Sequence, residues 1–104
     1  LPILNAALCK TLFDNLIKNA IKYNVQNGAL NIIVKDKTIQ LSNTGLKPEK
    51  PTQAYFDRFY KSGDPDSLGL GLAISKKICV LYKISIEYSF DKDLHIIELK
   101  FDKN

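Results

Sequence analysis

The chain predicts an α/β sandwich of two layers, an antiparallel or mixed sheet with helices packed on one face. Three observations lead there. Residues 3–24 and 69–82 carry apolar side chains at the three-and-four spacing of a half-buried helix. Each of these segments is followed by two short runs rich in β-branched and alternating residues, 30–43 and 84–101, that read as hairpins. Between the halves lies an irregular stretch, 46–68, holding three of the four prolines. With 104 residues, 45% of them hydrophobic and 25% charged, the chain suits one domain built on a single core.

The first helix carries the most information. Leu12, Phe13, Leu16, Ile17, Ala20 and Ile21 form its apolar stripe. Asn15 and Asn19, four residues apart, share a face one turn above the other, and Lys22 and Tyr23 extend that side. Asn is a mediocre helix former because its amide competes for nearby backbone groups. Two solvent-facing amides are the bland alternative. Pro2 suits a helix start, and Asn27-Gly28, which tolerate left-handed backbone, are expected to stop it.

Leu30 to Lys35 is the first strand, Asp36-Lys37 a turn, and Thr38 to Ser42 the second strand, with Asn43-Thr44-Gly45 breaking it. In the irregular stretch only Gln53 to Tyr60 could make a helical turn or two. A segment of that length without firm structure is usually functional, often a lid. Gly69-Leu70-Gly71-Leu72 opens the second helix, where bare backbone N–H groups and the helix dipole favour an anion. A tight turn is the plainer reading of such a glycine pair. Ile84 to Phe90 and Leu94 to Phe101, joined by Asp91-Lys92-Asp93, make the last hairpin. His95, the single histidine, is expected to be a surface strand residue. Cys9 and Cys79 both fall in apolar helical patterns, so buried reduced thiols are expected, in keeping with a reducing cytoplasm.

Two motifs then stand in order. Asn15, Asn19, Ala20, Lys22 and Tyr23 resemble the N box of the histidine kinase catalytic domain, within the GHKL superfamily of ATP-binding proteins. Tyr55 to Ile74, YFDRFYKSGDPDSLGLGLAI, resembles that family's F box followed by its second glycine box. The resemblance covers nearly the whole chain, 1–104, and implies the Bergerat ATP-binding fold with a lid at about 46–68. It implies Mg²⁺ and ATP as cofactors, with Asn19 the metal ligand. Asn15 and Lys22 are the catalytic residues it implies. Asn15 stands where the superfamily's hydrolases carry a water-activating carboxylate; an amide cannot be that base, so slow hydrolysis is expected. Lys22 would meet phosphate, and Tyr23 would line the nucleotide pocket. Lys61 stands where the family often has a phosphate-contacting Arg, flanking the lid with Arg58. Gly69, Gly71 and Leu72 would approach the phosphates. Phe56 and Phe59 would anchor the lid helix.

The first glycine box departs from the family's D-x-G-x-G. Asn43, Thr44 and Gly45 align with it, so Asn43 replaces the Asp that accepts a hydrogen bond from the adenine amino group, and Lys47 replaces the second glycine. The Asn carbonyl can still accept that bond, at a cost of roughly 1 kcal/mol against a charged acceptor, about fivefold in affinity. Weaker ATP binding is expected rather than none.

The function implied is donation of the ATP γ-phosphate to a histidine on a separate dimerisation and phospho-acceptor domain, with a response regulator downstream in two-component signalling. His95 lacks the sequence context of such an acceptor. A degenerate module that only senses nucleotide or docks partners, and an anti-sigma-type serine kinase, are the alternatives. Net charge is +4, but the lysines are scattered without interleaved aromatics, which suits a solvated surface or an acidic nucleotide better than nucleic acid. No apolar run reaches the roughly 18 residues of a spanning helix. No direct membrane contact is expected of this domain, which reads as the cytoplasmic part of a membrane-anchored sensor. A chain opening at Leu1 without any Met reads as an excised domain; the strand that usually precedes the first helix in the family is missing from it, so one edge of the sheet is expected to be lost or supplied differently.

Overall fold

The computed structural model describes residues 5–57 and 71–101. Helix α1 spans Ala6–Lys22, β1 Leu30–Lys35, β2 Thr38–Thr44, α2 Gly71–Leu81, β3 Ser85–Asp91 and β4 Leu94–Lys100, with a short 3-10 helix at Thr52–Phe56. The four strands form one sheet in the order β1-β2-β4-β3, antiparallel throughout. Both helices pack on one of its faces and on each other, so the two-layer architecture is as the periodicities indicate.

Alternation along the strands sets which face is covered. Ile86 and Tyr88 of β3 are buried while the alternating Glu87 and Ser89 are exposed; Ile97 and Leu99 of β4 are buried likewise. These side chains meet Leu12 and Leu16 of α1 and Leu72, Ile78 and Cys79 of α2, with Leu41 from β2. Leu12, Leu99 and Cys79 have no exposed surface. Burial pushes the Cys79 thiol up to about 11, so it stays a protonated apolar filler. β1 lies at the sheet edge with Ile32, Ile33 and Val34 exposed.

The helix bounds differ from expectation for local reasons. Asn5 caps α1: its Oδ1 accepts from the N–H of Ala7 (2.8 Å) and of Leu8 (3.4 Å), satisfying donors that a helix start leaves orphaned. The expected start near Pro2 lies outside the described residues. At the other end α1 stops at Lys22, before Asn27-Gly28, and Tyr23 caps it. Asn24 then turns the chain away from the helix. Its Nδ2 donates to the Ala29 carbonyl (3.0 Å), and its Oδ1 accepts from the Val25 N–H and from the Thr44 hydroxyl. Asn27 is left-handed, φ 61°, but within a turn closed by Gly28 N–H to Val25 C=O (3.0 Å).

β2 runs on through Asn43 and Thr44 rather than breaking at them. Asn43 pairs with Leu30 on one side and His95 on the other, and Thr44 pairs with Leu94. A neighbour on each side keeps those two residues extended. The expected helical turns at 53–60 are the 3-10 helix, with Phe56 buried edge-on to Tyr88 at 6.4 Å between centroids. Phe59, Lys61 and the first two residues of the second glycine box, Gly69 and Leu70, fall outside the described residues.

Candidate functional site

Between the C-terminal half of α1 and the central strands lies a cleft of about 800 Å³, within the range of small-molecule sites. α1 gives one wall. Asn15, Lys18, Asn19 and Lys22 recur at three-and-four spacing and face into the cleft, with Tyr23 at the helix end. Asn15 and Asn19 are partly buried, and neither side-chain amide hydrogen-bonds to another described residue. The Lys22 ammonium stands over the Tyr23 ring at 5.7 Å from its centroid.

The sheet gives the floor through Leu41, Asn43, Tyr88, His95 and Ile97. Asn43 is buried, and its Nδ2 donates to the Thr44 carbonyl at 2.9 Å. With the amide nitrogen committed, the carbonyl oxygen is the Asn43 atom left to accept from a guest. Leu46, Lys47, Pro48 and Glu49 form a strap along one rim, and Gly71 and Leu72 at the start of α2 line the cleft as well. A Cβ at Gly71 would meet nothing within 4 Å, so packing does not demand glycine there; its backbone is simply bare towards the cleft. The Ser75 hydroxyl, fully buried, donates to the Gly71 carbonyl (3.0 Å) and holds that first turn.

Lys18, Lys22 and Lys47 border the cleft against the single carboxylate of Glu49 among its described lining residues. That balance attracts anions. Among the described residues no group of His, Cys, Asp and Glu could hold a metal ion by itself. A pair of neutral amide oxygens suits Mg²⁺ that takes most of its ligands from phosphate and water.

Seven of the residues singled out in the sequence therefore share one cavity: Asn15, Asn19, Lys22, Tyr23, Asn43, Gly71 and Leu72. Gly45 is placed differently. It is buried behind the floor, and a Cβ on it would stand 2.5 Å from His95 Cδ2 and 2.9 Å from the Tyr23 carbonyl oxygen, so it makes room rather than lining the cleft. Lys61 and Gly69 lie outside the described residues.

His95 corrects the expectation of a surface strand residue. It is half-buried on the floor of the cleft, because the β2–β4 pairing sets it opposite Asn43. Its Nδ1 lies 2.7 Å from the Tyr88 hydroxyl and its Nε2 2.8 Å from the Leu46 carbonyl oxygen. A carbonyl can only accept, so Nε2 carries the hydrogen and the Tyr88 hydroxyl donates to Nδ1. Burial lowers the His95 pKa from its ordinary 6.5, partly opposed by the Leu46 carbonyl. Lys18 was missed as well, although it stands on the Asn15–Asn19–Lys22 face that helical spacing defines.

The family model described as "Histidine kinase-, DNA gyrase B-, and HSP90-like ATPase" matches residues 5–103. The chain belongs to that family. It is 40% identical over 101 residues to the heme sensor protein HssS of Staphylococcus epidermidis, covering 91% of this chain and 22% of that protein. To the sensor protein VanS of Enterococcus faecium it is 36% identical over 78 residues, 66% of this chain and 20% of the other. The chain thus spans about a fifth of the length of these curated relatives. A mycobacterial sensor histidine kinase, MprB, has the same fold, with a TM-score of 0.73, 22% identity, and coverage of 94% of this chain and 72% of that one. The chain is an ATP-binding domain of the histidine kinase type.

Proposed function

We propose that the protein binds Mg-ATP in this cleft and presents the γ-phosphate to a histidine on a separate dimerisation and phospho-acceptor domain, from which a response regulator is charged. The observation that carries the reading is the pair of amides, Asn15 and Asn19, open to the same cavity as the Asn43 carbonyl and the bare backbone of Gly71.

Asn43 would accept from the adenine amino group, and Tyr23 and the apolar side chains of Leu16, Leu41 and Ile97 would flank the base and sugar. Lys18 and Lys22 would face the phosphates as point charges. The Asn19 carbonyl oxygen would hold Mg²⁺, and Asn15 would orient the adjoining end of the triphosphate. The metal, when bound, neutralises phosphate charge. Asn15 cannot take a proton from water as a carboxylate would, which preserves the γ-phosphate for transfer. Lys61 and Gly69 are proposed to complete the phosphate end. Among the described residues no helix is long and apolar enough to cross a membrane; the sensor relatives support a place for this domain on the cytoplasmic side of a membrane-anchored protein.

Calorimetric titration with ADP and ATP, with and without Mg²⁺, tests the reading. Saturable, metal-dependent binding is expected, and none at millimolar nucleotide would overturn it. A second reading, nucleotide sensing without transfer, is favoured by Asn43 and Lys47, which leave the base end with a neutral acceptor and a longer rim. Labelled ATP supplied with the acceptor domain separates the two: phosphohistidine supports transfer, and binding without it supports sensing.

A further inference from the structure

The base end of the cleft is closed by a chain of hydrogen bonds that the two sequence motifs do not contain. Asn43, Gly45 and Leu46 follow one another out of β2 and over the rim. His95, across the ladder from Asn43, reaches back to the last of them through Nε2–H to the Leu46 carbonyl (2.8 Å). Its other nitrogen is held by the Tyr88 hydroxyl (2.7 Å). The ring has little freedom. It lies between the rings of Phe90 and Tyr88, at 4.8 and 5.8 Å between centroids, and against Gly45, where a Cβ would collide with it. Tyr88 is tied in turn to the 3-10 helix that follows the strap: its carbonyl accepts from the Thr52 hydroxyl (2.7 Å) and the Gln53 amide (3.0 Å). The Leu46 side chain, 79% exposed, borders the cleft with no apolar cover of its own.

We propose that His95 is the positioning residue of the base end: it fixes the Leu46 carbonyl, and so holds the Leu46 side chain as the apolar wall against which a nucleobase packs beside Asn43. This rests on the nucleotide reading above. His95 touches no phosphate in this arrangement and acts through Leu46. A flat apolar ring placed against Leu46 removes that exposed side chain from water, and the bond to His95 spares the strap an ordering cost on binding.

The test compares Mg-ADP with Mg-tripolyphosphate, which has the phosphates and no base, on the wild-type protein and on His95→Ala, His95→Gln and Leu46→Ala. His95→Ala should weaken ADP about fivefold to tenfold, the scale of one lost hydrogen bond plus a loosened wall. His95→Gln, whose amide can donate to the Leu46 carbonyl, should recover most of that loss. Leu46→Ala should weaken ADP by a similar factor; its exposed side chain makes this variant independent of any folding defect at His95. Tripolyphosphate affinity should be the same in every protein. ADP affinity within twofold of wild type in Leu46→Ala, or in a folded His95→Ala, overturns the proposal, as does an equal loss for tripolyphosphate. Wild-type protein that binds tripolyphosphate but not ADP, or neither, overturns the nucleotide reading and this proposal together. Normal wild-type ADP binding with insensitive variants overturns this proposal alone.

Discussion

Asn15 and Asn19 stand one helical turn apart on the cleft wall of α1, and neither amide is used by the fold. Partly buried polar groups that bond nothing in the protein are available to a guest. Asn19→Ala should therefore abolish the Mg²⁺ dependence of nucleotide binding without lowering thermal stability, since Ala is the better helix former by about half a kcal/mol. Calorimetry with and without Mg²⁺ beside a melting curve checks both halves. Undiminished metal dependence would remove Asn19 from the site.

Gly28 is fixed by space. A Cβ there would stand 2.0 Å from Asn24 Oδ1 and 2.1 Å from Thr44 Oγ1, which are bonded to each other. Gly28→Ala must break that junction between the end of α1 and the end of β2. A loss of about 1–3 kcal/mol in denaturant-induced unfolding is expected, the range for overpacking a tight site. A change below about 0.5 kcal/mol would mean that the Asn24 side chain is free to move aside.

Lys83 occupies the position after α2 where glycine is commonest. Its φ is 59°, and the bonds Ile84 N–H to Cys79 C=O (2.7 Å) and Lys83 N–H to Val80 C=O (3.2 Å) close the helix in the Schellman pattern. A side chain in left-handed backbone costs about 1 kcal/mol. Lys83→Gly should raise stability by roughly 0.5–1 kcal/mol, while Lys83→Ala, which keeps the Cβ, should not. Chemical denaturation of the two variants side by side settles the sign.

The His95 pKa is lowered in the folded chain, so the unfolded chain binds its proton more readily. Stability from this group is complete above the unfolded value of 6.5 and is lost as pH falls below it towards the folded value. Denaturation midpoints should fall on acidification through that window. The fall should be blunted in His95→Gln, which has no proton to take up. An identical pH profile in the variant would assign the effect to other groups.

The fold was readable because its signals are local. Apolar residues at helical spacing placed both helices, and β-branched runs around Asp36-Lys37 and Asp91-Lys92-Asp93 placed both hairpins. The N-box face of α1 was readable for the same reason, since Asn15, Asn19 and Lys22 are fixed relative to one another by one helix. What escaped depended on partners distant in the chain. Asn27-Gly28 have the residue types of a helix stop, but Asn24, tied to Ala29 and Thr44, had already turned the backbone. Asn43 and Thr44 look like turn residues until β4 pairs with them. His95 looked peripheral because its place opposite Asn43 is a consequence of strand order, which no periodicity encodes.

That strand order has a consequence for synthesis. β4, the last strand among the described residues, lies inside the sheet, between β2 and β3. Until it emerges from the ribosome, the two hairpin halves have no shared neighbour, and the floor beneath Asn43 does not exist. A nascent chain shorter than this strand can form its helices but cannot assemble the cavity, so competence for a guest arrives in a single late step rather than growing with length.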